Sequence, residues 1–203
     1  RGPYTAEAVA SDVLSGFGPL TDGLDGVGVR WFTTSAERAA LGELIVGATR
    51  AIIEDEEQSI ESFAWFRNDR DDIDLHRDGL TLDAQGMSPL VLAVAKMLPA
   101  TSRTAGDSFW LDQTRTVHTA TATIYGVITV TDPGDRSLQV TGGRLLQRVH
   151  LAAARAGLGL QHMNQITERV DRDAQLGRPS TFDAGMDALL AQPGHHVLST
   201  FRI

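Results

Sequence analysis

Between Gly157 and Gln165 the chain reads Gly-Leu-Gly-Leu-Gln-His-Met-Asn-Gln, two glycines followed by amide and imidazole side chains. Glycine lets backbone approach a flat ligand closely, and the amides of Gln161, Asn164 and Gln165, with the backbone N–H groups around them, can bond the edge of a heterocycle. This is the chemistry of holding a planar cofactor; an ordinary helix-loop-strand connection would also use such residues. Other candidate groups are weaker. His76 lies between Asp74 and Asp78, but no second histidine stands at ligand spacing, so a polar surface turn is the simpler reading. Glu54, Asp55, Glu56 and Glu57 are consecutive, and on a helix they point around the axis and not at one centre, which predicts a solvated face or a break. His118, His150, His195 and His196 read as packing or surface residues, and neither a serine elbow nor a His-Asp spacing supports hydrolysis.

Composition narrows the field further. The absence of cysteine excludes disulfides, thiolate zinc sites and cysteine nucleophiles, and suits a reducing, cytoplasmic compartment. A net charge of -8 argues against a nucleic-acid partner, which needs a clustered basic surface. Lys96 is the only lysine, so nearly all positive charge is guanidinium, suited to phosphate and carboxylate forks; a GC-rich genome would produce the same bias. No apolar run reaches the roughly 20 residues of a membrane span. A chain of 203 residues can bury one large core without staples.

The elements that must position residues 157–165 lie on both sides of them. Residues 142–156 place Leu145, Val149, Ala152, Ala153 and Ala156 on one helical stripe, and Gly157 stops that helix. Residues 164–175 and 181–191 read as helices separated by Gly177-Arg178-Pro179-Ser180, and 197–202 as a closing strand. Nearer the start, 7–17 reads as a short helix and 27–33 as a strand. Ser35 is the expected N-cap of a long helix carrying Leu41, Leu44, Ile45, Ala48, Ile52 and Ile53, and 61–67 a further helical turn. Residues 119–131, β-branched and aromatic, predict the clearest strand, closed by Asp132-Pro133-Gly134-Asp135. Residues 68–106 are irregular. Their apolar Leu80, Leu82, Met87, Leu90 and Leu92 and their hinges Gly79, Gly86 and Gly106 predict an ordered lid with a short apolar helix at 90–98.

The order of amphipathic helix, Gly-Leu loop, helix and final strand resembles the FMN-dependent nitroreductase superfamily. Gly157 to Gln165, with Thr121 to Val130 and Gly194 to Ile203, looks like its actinobacterial Acg-like branch, which implies two nitroreductase-like halves around a single flavin. The resemblance implies an α+β, three-layer α-β-α fold with a mixed, largely antiparallel central sheet. It makes residues 1–203 a single domain, expected to be the C-terminal half of a longer chain, with 68–106 as its lid. It places Gln161, His162, Met163, Asn164 and Gln165 beside the flavin, with backbone N–H groups toward N5 and O4, and Arg1 toward the phosphate. One departure is sharp. Where typical members carry an Ala-Pro-Ser then Asn-x-Gln-Pro-Trp element, Gly18 to Gly26 stands instead, and Arg202 is a weak substitute for a missing second phosphate ligand. The implied activity is NAD(P)H-dependent reduction of nitro or quinone-like acceptors through FMN, with no catalytic side chain of its own and no metal. A flavin-sequestering protein with a closed lid, or a flavin-free structural half, are the alternatives. The expected partners are FMN, NAD(P)H and a second half or homodimer mate.

Overall fold

Apolar stripes on helices and buried faces on strands sort this chain into three layers. The structure, a computed structural model, describes residues 4–5, 7–67, 70–85, 87–97 and 101–203. Arg1, Asn68, Gly86 and Leu98 lie outside the described residues, and with them the phosphate role expected of Arg1 and the hinge expected at Gly86. In chain order the elements are α1 (Ser11–Ser15), β1 (Val27–Phe32), α2 (Ser35–Glu54), α3 (Glu56–Phe63), β2 (Phe66–Arg67), α4 (Arg70–His76), β3 (Leu80–Thr81), α5 (Pro89–Met97), α6 (Arg103–Gln113), β4 (Tyr125–Val130), α7 (Arg136–Arg155), β5 (Gln161–His162), α8 (Gln165–Gln175), α9 (Thr181–Leu190) and β6 (His196–Arg202).

The main sheet has the order β1-β4-β6-β5, and all three of its pairings are antiparallel. The parallel pair β2 and β3 forms a separate ribbon. On one face α2, α8 and α9 bury Leu41, Ile45, Ile166 and Met186 against Tyr125 and Val127. On the other, α7 lays Leu145, Val149 and Ala153 on Ile128, Val130 and Phe201, with Val13 and Leu14 of α1 at the margin. This is the expected α+β, three-layer architecture. Among the described residues no helix is long and apolar enough to cross a membrane.

Local chemistry moves several boundaries. The cap of α2 is Thr34, one residue before Ser35: its hydroxyl accepts from the Glu37 N–H at 3.2 Å while the Glu37 carboxylate accepts from the Thr34 N–H at 3.1 Å, a reciprocal capping box. Those bonds from Thr34, joined by Arg30, hold the Glu37 carboxyl down at about 2. Asp135 caps α7 by accepting from the Ser137 and Leu138 N–H groups, so this helix begins well before residue 142. The early helix is shorter than 7–17, and 61–67 divides between the end of α3 and β2.

The largest correction is at 119–131, where only Tyr125–Val130 is strand. Within the expected strand, Thr119 to Thr121 instead continue a turn from the π-helical Thr114–His118 that precedes it. The threonine hydroxyls are responsible. Thr116, Thr119 and Thr121 donate to the carbonyls of Asp112, Arg115 and Val117 at 2.8, 2.9 and 2.7 Å, each four residues back. β-branched residues thus take a helical path where their hydroxyls bond locally.

Within 68–106 the chain forms α4, β3 and α5, none of which holds a buried residue, and α5 occupies the helix expected at 90–98. Leu90, Val91, Val94 and Met97 of α5 are exposed, Met97 to 86%. This row of apolar side chains is unusual for a surface helix.

Candidate functional site

The sheet places β5 at its edge, held to β6 by two residue pairs, Gln161 with Arg202 and His162 with Phe201. The Met163 N–H donates to the Thr200 carbonyl at 2.7 Å. Antiparallel ladders alternate, so the peptide groups of His162 point away from β6, over the edge. The approach to this edge is shaped by glycine: Gly157, at φ 74°, ends α7 in the left-handed conformation expected of it. Gly159 lies against Tyr4, whose hydroxyl and ring would stand 3.3 and 3.4 Å from any Cβ placed there. The Tyr4 ring in turn lies 4.0 Å from the Arg202 guanidinium carbon, and the His150 ring of α7 meets His162 edge-on at 6.2 Å. Gly159 against Tyr4, and His150 against His162, are thus two separate ring contacts made by residues of this run.

The remaining residues of the run are turned to a different use. The Gln161 side-chain carbonyl accepts from Arg202 Nε at 2.8 Å. Arg202 is 2% exposed and also donates to the His118 carbonyl at 2.6 Å and to the Thr121 hydroxyl at 2.7 Å. It clamps β6 to β5 and to the threonine turn, in keeping with its being only a weak substitute for a phosphate ligand. The Asn164 side-chain carbonyl accepts from the Ser199 hydroxyl and the Thr200 N–H, both at 3.0 Å. Met163 is buried in the core, so both its side chain and its N–H are committed within the fold, which corrects the expectation that the N–H faces a ligand. The cause is the shortness of β5: a two-residue strand has few ladder bonds and needs side-chain ties to stay in register. Gln165 is buried with its Oε1 lacking a hydrogen-bond partner among the described residues. It is a buried side-chain acceptor of this run that bonds nothing among the described residues.

Asn164 is thus a structural tie. Asn164→Leu is expected to cost about 2 kcal/mol, because it strands the fully buried Thr200 N–H. Urea unfolding measures this, and an unchanged midpoint would show that the tie carries no stability.

Two features escaped the sequence. A cleft of about 270 Å³ is lined by Val9, Thr33, Arg38, Thr121 and Thr123 among others, and brings a guanidinium among hydroxyl groups. Arg38 follows the capping-box Glu37 directly, a position that carries no signal of a site. Tyr125 is buried, its hydroxyl without a hydrogen-bond partner among the described residues, and burial pushes it up to about 12 against the opposing fields of Arg202 and Arg38. It is a neutral phenol at physiological pH.

No family model matches the chain, and no curated protein matches it in sequence. Solved structures do match in fold. The FMN-dependent nitroreductase NfnB of Mycobacterium smegmatis, in complex with NADPH, is 13% identical with a TM-score of 0.56, over 100% of this chain and 82% of that one. A nitroreductase of Bacteroides fragilis with bound FMN is 12% identical with a TM-score of 0.51, over 100% and 81% of the two chains. The fold is therefore nitroreductase-like.

Proposed function

We propose that this protein binds FMN along the β5 edge and uses it as an NAD(P)H-dependent oxidoreductase for nitro or quinone-like acceptors. The observation that carries the reading is the fold likeness to FMN-dependent nitroreductases over the whole of this chain. The residues present fit the ring of such a cofactor. His162 turns its peptide edge outward, Gly159 keeps the approach flat against Tyr4, and the unpartnered Gln165 Oε1 is an acceptor held nearby in sequence. For the phosphate, Arg38 in its hydroxyl-lined cleft joins Arg1 as a candidate, while Arg202 is spent as a clamp. When bound, FMN supplies the hydride transfer, and the chain's part is to bind, orient and shield the ring.

The same reading makes 68–106 a cover for this site. The exposed row Leu90, Val91, Val94 and Met97 then packs on a second nitroreductase-like half or a homodimer mate, in the Acg-like arrangement of two halves around one flavin. A second reading has its own support: Gln161, Met163 and Asn164 spend polar groups inside the fold, as a flavin-free structural half would allow.

Titration with FMN, followed by quenching of flavin fluorescence, separates the two. Saturable quenching is expected, with Gly159→Val weakening it by about tenfold or more, the equivalent of about 1.4 kcal/mol, because the new side chain fills the approach beside Tyr4. Gly159 is exposed, so the substitution leaves the core untouched. Absence of quenching would support the structural half, and equal affinity of the variant would move the flavin away from this edge.

A further inference from the structure

A second cluster of chemically capable groups lies where α9 hands over to β6. Asp183 and Asp187 are four residues apart on α9, so their carboxylates leave the same face of the helix, one turn from each other. Two like charges at that spacing repel and destabilise the helix unless something positive stands between them. Among the described residues no ion pair serves either carboxylate. What faces them instead is His196, the first residue of β6. One ligand atom from each of Asp183, Asp187 and His196 lies within 4.8 Å of the other two.

The chain between the helix and the strand is folded to make this approach. Ala191 ends α9 in the left-handed region at φ 48°, Gly194 follows at φ 75°, and the His195 N–H closes the turn on the Gln192 carbonyl at 3.2 Å. The His195 ring is held by the Thr129 hydroxyl at 3.2 Å through Nδ1, which anchors the turn to β4. A cavity of about 280 Å³ opens beside the cluster, with Asp187, His195 and His196 in its wall.

We propose that Asp183, Asp187 and His196 form a binding site for a divalent transition-metal ion. The donor set decides the class of ion. Two carboxylates alone would suit calcium or magnesium, which take oxygen ligands; the imidazole shifts the preference to zinc, manganese, cobalt or nickel. Three protein ligands leave coordination positions open on the cavity side, for water or a small anionic ligand. Two negative charges and a neutral imidazole match a doubly charged cation, which removes the repulsion within α9. Because the ligands come from a helix and a strand, the ion staples α9 to β6 without touching the β5 edge.

The test uses the whole chain, freed of metal with a chelator and titrated with cobalt(II), whose visible spectrum reports its ligands. One cobalt per chain is expected, with zinc displacing it and raising the melting temperature of the wild type by linkage. Asp187→Asn and His196→Gln should each weaken cobalt binding by about tenfold or more and abolish the thermal shift, whereas His76→Gln, which removes an imidazole from α4, should leave both intact. Asp187 is exposed, so its variant reports on the site even where His196→Gln disturbs the strand. A chain that shows no cobalt spectrum at millimolar metal, or binding that survives both substitutions, overturns the proposal.

Discussion

Asp55→Ala is expected to destabilise the protein by about 3 kcal/mol, at the lower end of what breaking a buried ion pair costs. The Asp55 carboxylate takes Arg169 Nη1 at 3.1 Å and Arg172 Nε at 3.0 Å, and it caps α3 through the Gln58 N–H at 3.3 Å. Arg169 is 4% exposed, and its only other carboxylate partner among the described residues is Asp173 at 3.0 Å. Removing Asp55 leaves that guanidinium buried beside one carboxylate that Arg178 also claims. The hydrogen bond from Arg172 above all, opposed by burial and aided by Arg169, holds the Asp55 carboxyl well below the usual range. A depressed acid stabilises the fold fully above its unfolded value of about 4, and that stability is lost as pH falls through the folded value. Asp173 follows the same sign, since bonds from Arg178 and Ser180 and the field of Arg169 outweigh the burial that would raise it. Urea midpoints between neutral pH and acid should fall for the wild type and fall less for Asp55→Ala. Parallel slopes would remove Asp55 from the account of acid sensitivity.

Gly126→Val is expected to cost as much, again about 3 kcal/mol, with a melting temperature lower by about 10 °C. Gly126 in β4 faces Phe201 in β6, and the Phe201 ring lies over the glycine. A Cβ would overlap the ring tip and come within 2.6 and 2.8 Å of two further ring carbons. The ring has nowhere to go, because Phe201 is fully buried with its edge against Trp31 at 5.6 Å, and Trp31 stacks on Phe17 at 5.3 Å. Gly126→Ala should show a smaller loss of the same sign. Differential scanning of both variants measures the series, and an unshifted valine variant would mean the aromatic stack can yield.

The layers are legible in the sequence because their periodicity survives in the fold: Leu145, Val149 and Ala153 on α7, and Leu41, Ile45 and Ala48 on α2, are the residues that reach the core. What is not legible turns on where single polar groups find partners. Threonines 116, 119 and 121 bend their own backbone, a choice that β-propensity does not contain. Asp55 sits in a run of four acids but closes on Arg169 and Arg172, more than a hundred residues away, so one member of an otherwise solvated stretch becomes an anchor. At the proposed site the sequence singles out one stretch, Gly157 to Gln165, but not the division of labour along it. Strand alternation turns Met163 inward and His162 outward, and this follows from the pairing with β6.

The long-range pairings of β4 also bear on how fast the main sheet can form. Strand β6 lies in the interior of the sheet, between β4 and β5. Its neighbour β4 is reached across a long stretch of chain, as is clear from the Thr123 hydroxyl bonding the Ile203 carbonyl 80 residues on, and β1 meets β4 across a still longer one. Helices α2 and α7 need only local contacts and close in microseconds or less, whereas each of these strand pairings must first meet the entropy of a large loop. The helices are therefore expected to form faster than the sheet that separates their layers. The pairings of β4 with β1 and with β6, which close these long loops, are expected to set the folding rate.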